Sequence, residues 1–470
     1  MNDADVLVLG AGLSGLSAAY ALQAAGRSVL VLDRRTYAGG RIQSERIDGF
    51  LMEHGPASLA GPAPAAENLI ARLDLGNARV DKGNDVHHRY LVRDGRVRSL
   101  PMNPLGLFLD DFFSFSARLR FLAEPLIARR DEDETISGFV RRRLGREFLD
   151  YLFDPLVGGL YSGDPEQLSV EALLPHLKRL ERKYGSIVVG AGIRLLTGKT
   201  REMPGHRALF SFRDGMAMLP RALARGLGAA ILHGVRVRNI RPGVGDSFVV
   251  DAEWAGERSA FRANAVVVAL PAYGAAGVLD DIDAGAAAAL AAIPHPPLAV
   301  VFLGYRAEDV AHPLTGLGYL APRAEGRPVL GTIFSSTLFP GRAPPGYVAL
   351  TAFVGGARQP ELARLPPDEL NALVAHEAGE LLGARGAPVV ARTRYWMRGL
   401  PQYEMGHTAK VETVRRVERT NPGLFVTGNF LAGMSTAVCV EQAMLTARRA
   451  DAHLRETRAE VRLGSAIAAG

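Results

Sequence analysis

Val6-Leu7-Val8-Leu9 is an unbroken apolar run, the pattern of a strand covered on both faces. The turn Gly10-Ala11-Gly12-Leu13-Ser14-Gly15 follows, and Leu16 to Ala25 reads as an alanine-rich helix ended by Gly26. Val29-Leu30-Val31-Leu32 is a second apolar strand, closed by Asp33. Further along, Val235-Arg236-Val237, Phe248 to Glu253 and Val266 to Pro271 predict three more strands, the last of them buried. Near the C-terminus, Leu424 to Asn429 reads as a strand ending in glycine, and a helical pattern runs from Ala437 to Leu454. This order predicts a parallel α/β unit assembled from both chain ends and a middle segment, Phe210 to Pro271.

The remaining stretches follow other periods. From Pro294 to Trp396, apolar strands alternate with glycine and proline turns around one helix, Pro367 to Leu382, which predicts an antiparallel sheet. Asn103 to Arg182 reads as helical. Within it, Pro104 to Leu109 and Phe112-Phe113-Ser114-Phe115 are rich in large apolar side chains, with Arg118, Arg120, Arg129 and Arg130 close by. An aromatic and leucine face edged by arginine suits the interface of an anionic bilayer, and a buried helical core is the other reading. The run Arg141-Arg142-Arg143 reads as a solvated face. Ala284 to Ala292 is a small alanine-rich helix, and the tail after Leu454 is expected to fray. No apolar run reaches the roughly 18–20 residues of a spanning helix, so membrane contact would be peripheral.

Composition narrows this further. A chain of 470 residues needs two or three domains, and 48% hydrophobic residues suits a globular protein. The net charge of +6 is a mild basic excess. No Lys/Arg run interleaved with aromatics stands out, so no nucleic-acid partner is expected. The single cysteine, Cys439, can make neither an internal disulfide nor a Cys-based metal site, so no metal is expected and a reducing cytoplasm fits. No basic stretch precedes the first strand, so no signal peptide is expected.

Strand, glycine turn, helix, strand and acid stand in the order of a dinucleotide fold. Gly10 permits the tight turn, Gly12 lets backbone N–H groups approach a pyrophosphate, and Gly15 lets the helix pack on the strand. The Asp33 carboxylate can accept hydrogen bonds from ribose hydroxyls. FAD and NAD share this unit, and the next segment separates them. Arg34-Arg35 leads to Gly39-Gly40-Arg41, and Met52-Glu53-His54-Gly55-Pro56 follows. This run resembles the flavin-containing amine-oxidase superfamily, in which a double glycine followed by Arg or Lys lies along the FAD.

Longer stretches resemble the protoporphyrinogen oxidases within that superfamily. They are Phe153 to Ser169, Phe210 to Gly215, Leu330 to Ser336, Phe353 to Arg358 and Leu400 to His407. Tyr161–Ser169 and Pro401–His407 are the most specific of them. The resemblance implies an α/β fold: a Rossmann-like FAD-binding domain (1–84, 208–285 and 408–456), an antiparallel-sheet substrate domain (85–98, 186–207 and 286–407), a helical membrane-facing domain (99–185) and a tail (457–470). It implies a FAD-dependent, six-electron oxidation of a tetrapyrrole by O2. FAD would be held non-covalently by Gly10, Ala11, Gly12, Leu13, Ser14, Gly15, Asp33, Arg34, Gly40, Arg41, Gly55, Pro56, Ala57, Ser58, Val237, Met434, Ser435 and Thr436. Arg89 matches an arginine that faces a propionate, and Leu320, Ile333 and Phe353 match apolar positions that sandwich the tetrapyrrole. By pattern alone, Arg89 reads as a surface charge and the other three as core. The expected setting is cytoplasmic and peripherally membrane-associated, with a homodimer as a possible assembly.

Departures stand beside the matches. Asp33 replaces the Glu of many members, and Gly433-Met434-Ser435 replaces a Gly-Val-Gly-type turn. Cys439 reads as a packing thiol rather than a covalent flavin link. The strand His295 to Val301 lacks the lysine that amine oxidases place beside the flavin. Coproporphyrinogen oxidation, desaturation of another apolar substrate and a redox-silent FAD scaffold remain as alternatives.

Overall fold

The computed structural model of the chain describes residues 3–100, 111–197 and 208–469. A seven-stranded sheet forms the base. Its order is Ile231–His233, Val29–Asp33, Ala4–Leu9, Glu257–Val268, Phe248–Trp254 and Arg236–Pro242, with Leu424–Val426 also pairing to Glu257–Val268. The strands around Ala4–Leu9 run parallel. The apolar run at residues 6–9 divides between two cores. Val6 and Val8 pack with the helix Leu13–Ala24 and the C-terminal helix, while Leu7 and Leu9 pack with Leu290, Val414 and Val417 on the other side. Burial on both faces is why this strand shows no polar alternation.

A second seven-stranded sheet has the order Val390–Trp396, Leu298–Arg306, Tyr347–Gly355, Val329–Phe334, Gly316–Leu320, His88–Arg93, Arg96–Ser99. Its pairings are antiparallel except one: Gly316–Leu320 runs parallel to His88–Arg93. His88–Arg93 lies outside 294–396 and is joined to Gly316–Leu320 by no short turn, which leaves a parallel pairing open to it. One face of the sheet packs on the helix Pro367–Leu382 through Tyr319, Ala352, Leu370 and Val374.

The helical region has its own core, and here the expectation for Phe112 and Phe113 is corrected. Both are buried; Phe113 stacks on Phe148 with centroids 4.3 Å apart, and the guanidinium of Arg93 lies 5.3 Å from the Phe112 ring. The exposed apolar stripe lies one helix further on. Phe115, Leu119 and Leu122 of the helix Phe115–Leu122, then Leu126, face outward, and Ile193 and Leu196 of the helix Ile187–Leu196 are also exposed. The run Pro104–Leu109 lies outside the described residues. Residues 187–196 pack on Pro175–Tyr184.

Only the first residue of the arginine run, Arg141, is exposed; Arg142 is half-buried. Arg143 is fully buried, 2.6 Å from Glu181 and 3.0 Å from Glu124, and Lys178 lies 3.0 Å from Glu181. Glu124 also accepts the Ile187 N–H, so this ionic knot holds the start of the helix Ile187–Leu196. The tail is corrected as well: the C-terminal helix continues from Thr436 to Ala469. Its last part is rich in alanine, arginine and glutamate and holds no proline, so the chain meets no stop after Leu454. Among the described residues, no helix is long and apolar enough to cross a membrane.

Candidate active site

The carboxyl ends of the parallel strands converge on the glycine turn. Gly10 has φ +106°, a value that favours glycine, and a Cβ there would lie 2.8 Å from the Ala269 carbonyl oxygen. A Cβ on Gly15 would lie 1.8 Å from the Gly10 oxygen, so the helix can sit on the turn only without a side chain. Gly12 is different. It caps Leu13–Ala24 with φ −77°, no side chain caps the helix, and a Cβ on it would meet no atom within 4 Å. Open space therefore faces the exposed N–H groups at the positive end of the helix, which suits a phosphate. Gly39 donates to the Ala11 carbonyl at 2.8 Å, and a Cβ on Gly40 would lie 3.1 Å from the Gly12 Cα. The second glycine motif thus lies directly on the first.

Asp33 braces the turn. One carboxylate oxygen accepts the Ala11 N–H at 2.6 Å and the other the Arg35 N–H at 2.7 Å. Each retains lone-pair capacity for a ribose hydroxyl. Arg34 is exposed. Arg41 donates to the carbonyls of Gly399, at 2.6 Å, and Arg398, and its guanidinium lies 5.9 Å from the Trp396 ring centroid. A Cβ on Gly55 would lie 2.5 Å from the Arg41 carbonyl oxygen, so Gly55, at the head of the segment Gly55–Ser58, lies close beside Arg41. Val237 is half-buried in its strand, beyond the end of Val29–Asp33.

The strand Leu424–Val426 ends beside Glu257–Val268, and its loop leads through Gly433 to Met434, Ser435 and Thr436. Ser435 accepts the Val438 N–H at 3.3 Å at the start of the C-terminal helix. Cys439 lies beside Ser14, and burial pushes its thiol up to about 11. A thiol held protonated is a weak nucleophile, which agrees with its reading as a packing group.

The second sheet presents one face to this region. Leu320, Gly331, Phe353 and Val300 stand in one cross-strand row, and Gly318, Ile333, Thr351 and Phe302 in the next. Alternation places Leu320, Ile333 and Phe353 on one face, opposite the helix-packed Tyr319 and Ala352. Tyr90 is in register with Tyr319, so Arg89 and Leu91 share the face of Leu320. Arg89 is half-buried, and burial lowers its guanidinium from the ordinary value. The helix Asp154–Tyr161 crosses this face: a Cβ on Gly159 would lie 2.3 Å from the Leu320 Cδ2. The strand Leu298–Arg306 holds no lysine. Near its start, burial pushes the His295 ring down to about 4, so it is neutral.

Two groups here carry no role in the sequence reading. Glu53 is buried, accepts from the Ser44 hydroxyl at 2.6 Å and the Met216 N–H at 2.8 Å, and is pushed up to about 7 by burial. Tyr403 and His407 lie in a stretch that the sequence marks only by resemblance. Their buried rings stack 4.0 Å apart.

A glycine cradle at a helix N-terminus, braced by an acid at the end of the next strand, defines a dinucleotide-binding protein. The profile described as flavin containing amine oxidoreductase matches residues 13–453. The chain belongs to that family; it is an FAD-dependent oxidoreductase, and its cofactor is FAD. It is 33% identical to the mitochondrial protoporphyrinogen oxidase of Nicotiana tabacum, over 92% of this chain and 91% of that one. It is 31% identical to the coproporphyrinogen III oxidase of Propionibacterium freudenreichii subsp. freudenreichii, over 93% of this chain and 89% of that one. A crystal structure from Exiguobacterium sp. 255-15 shares the fold with a TM-score of 0.82 at 22% identity, covering 96% of this chain and 99% of that one.

Proposed function

We propose that the chain oxidises protoporphyrinogen IX to protoporphyrin IX, with O2 as the acceptor. Six electrons leave the macrocycle in three two-electron rounds, so three O2 become three H2O2. The observation that carries the reading is the sheet face with Arg89 near one edge and Leu320, Ile333 and Phe353 beside it. The names of the relatives support the same substrate class.

Bound FAD supplies a two-electron acceptor for hydride. The protein's own part is placement. The apolar face takes the ring, and the Arg89 fork takes a propionate and sets which bridging carbon faces the cofactor. The helix Asp154–Tyr161 closes over Leu320 and keeps water from the ring. Peripheral attachment belongs to the proposal too: the stripe Phe115, Leu119, Leu122 and Leu126, with Arg129 nearby, suits an anionic bilayer from which a greasy substrate would be drawn.

Coproporphyrinogen is the second reading, favoured by the 31% identical oxidase above. Anaerobic mixing of holoenzyme with each porphyrinogen, followed by flavin absorbance, separates the two. Faster bleaching by protoporphyrinogen is expected. Bleaching by coproporphyrinogen alone would reassign the substrate, and no bleaching by either would sink the porphyrinogen reading.

A further inference from the structure

The two stretches most specific in the sequence, Tyr161–Ser169 and Pro401–His407, are bonded to each other. Gln402 donates through its side-chain amide to the Tyr161 carbonyl at 3.1 Å, Ser169 N–H donates to the Tyr403 carbonyl at 2.8 Å, and Met405 N–H to the Gln167 carbonyl at 3.1 Å. The segment also reaches the other way. Tyr403 Oη donates to the Asn429 carbonyl at 2.6 Å, and His407 Nε2 lies 2.8 Å from the Phe430 carbonyl. Burial pushes His407 down to about 4 and Tyr403 up, so both are neutral near pH 7. A neutral imidazole can bond a carbonyl only as a donor, which puts its proton on Nε2.

Asn429 and Phe430 lie in the loop between the strand Leu424–Val426 and Thr436, the start of the C-terminal helix. We infer that Tyr403 and His407 are positioning residues for FAD: by holding two consecutive carbonyls, they fix how this loop presents its backbone to the cofactor. The stretch Leu400–His407 then serves as a strap from the helix over the substrate face to the cofactor's loop. The inference rests on the reading that FAD occupies the cradle at Gly12.

The test compares purified holoenzymes by FAD dissociation constant, flavin absorption spectrum and midpoint potential. Tyr403→Phe removes one oxygen and keeps the ring stack. It should weaken FAD binding by about three- to tenfold and shift the spectrum and potential. His407→Leu should act likewise, and His407→Gln, which keeps an N–H donor, should stay within about twofold of the parent. Tyr395→Phe is the control, since Tyr395 makes the same kind of bond, 2.6 Å to the Leu365 carbonyl, away from the cradle. It should change none of the three readouts. A parent without FAD would overturn the cofactor reading. A FAD-loaded parent matched by a folded Tyr403→Phe in affinity, spectrum and potential would overturn the strap alone.

Discussion

Gly12 and Gly15 stand three positions apart and fail in opposite ways when a side chain is added. The Cβ of a residue at 12 would enter open space, and its φ of −77° is ordinary for any residue. Gly12→Val should therefore fold with a thermal midpoint near that of the parent apoprotein, yet purify colourless. Gly15→Ala would drive a Cβ to 1.8 Å from the Gly10 oxygen, and should lower stability by at least about 1–3 kcal/mol. Flavin absorbance and apoprotein melts on both variants check the contrast; stoichiometric FAD in Gly12→Val would remove the cradle argument. Glu53 makes a second residue-scale prediction. Burial raises it from 4.5 to about 7, so the folded chain binds this proton more tightly than the unfolded chain. Its effect favours the fold below about 4.5 and is lost as pH rises to about 7, roughly 3 kcal/mol in all. Glu53→Gln mimics the protonated form, so it should gain stability over the parent across that window, and a difference that does not change with pH would refute the assignment. The glycine spacing was readable from sequence because each glycine answers a local demand. Glu53 was not, because its burial depends on Ser44 and on Met216, which lies far along the chain.

At the scale of elements, apolar periodicity located helices and strands but could not say what covers them. Phe112 and Phe113 look like a membrane anchor in sequence, and both are core: Phe113 stacks on Phe148, and Phe112 packs against Phe113. Leu126, by contrast, is 86% exposed. Two variants separate the roles. Phe113→Ala should lower stability by about 3–5 kcal/mol, as loss of a packed aromatic does. Leu122→Ser with Leu126→Ser should leave denaturant unfolding nearly unchanged and reduce pelleting with anionic vesicles by tenfold or more, since each leucine inserted in lipid contributes roughly 1.5–3 kcal/mol. Vesicle binding equal to that of the parent would remove the membrane stripe. Arg143, read with its neighbours as solvated, is buried for the same physical reason. A charge run is normally solvated, and only Glu124 and Glu181, both fully buried, give Arg143 a place inside.

Across the whole molecule, the cradle and the sheet face come from opposite ends of the dependence on context. The cradle is local in sequence and was legible at once. The face needs strands from residues 88–93 and 316–355 in one sheet, and their joining by a parallel pair leaves no mark in the pattern of either. Arg89 is where this matters. In the proposed binding mode, burial of a tetrapyrrole on Leu320, Ile333 and Phe353 would give affinity but would not choose which bridging carbon meets the cofactor. A fixed cation near the edge of the sheet would supply that choice, and a charged hydrogen bond contributes about 1.5–3 kcal/mol, roughly ten- to a hundredfold in binding. Arg89→Ala should raise KM for protoporphyrinogen by that factor. FAD content should not change, because Arg89 lies on the second sheet and the glycine cradle on the first. Arg89→Lys should recover part of the loss, since a point charge lacks the bidentate fork. If the edge also aligns the ring, kcat falls with KM rising. Steady-state fluorescence of protoporphyrin, at matched flavin content, reads all three enzymes. Parental KM and kcat in Arg89→Ala would place the propionate elsewhere on the face and leave Arg89 as a structural charge beside it.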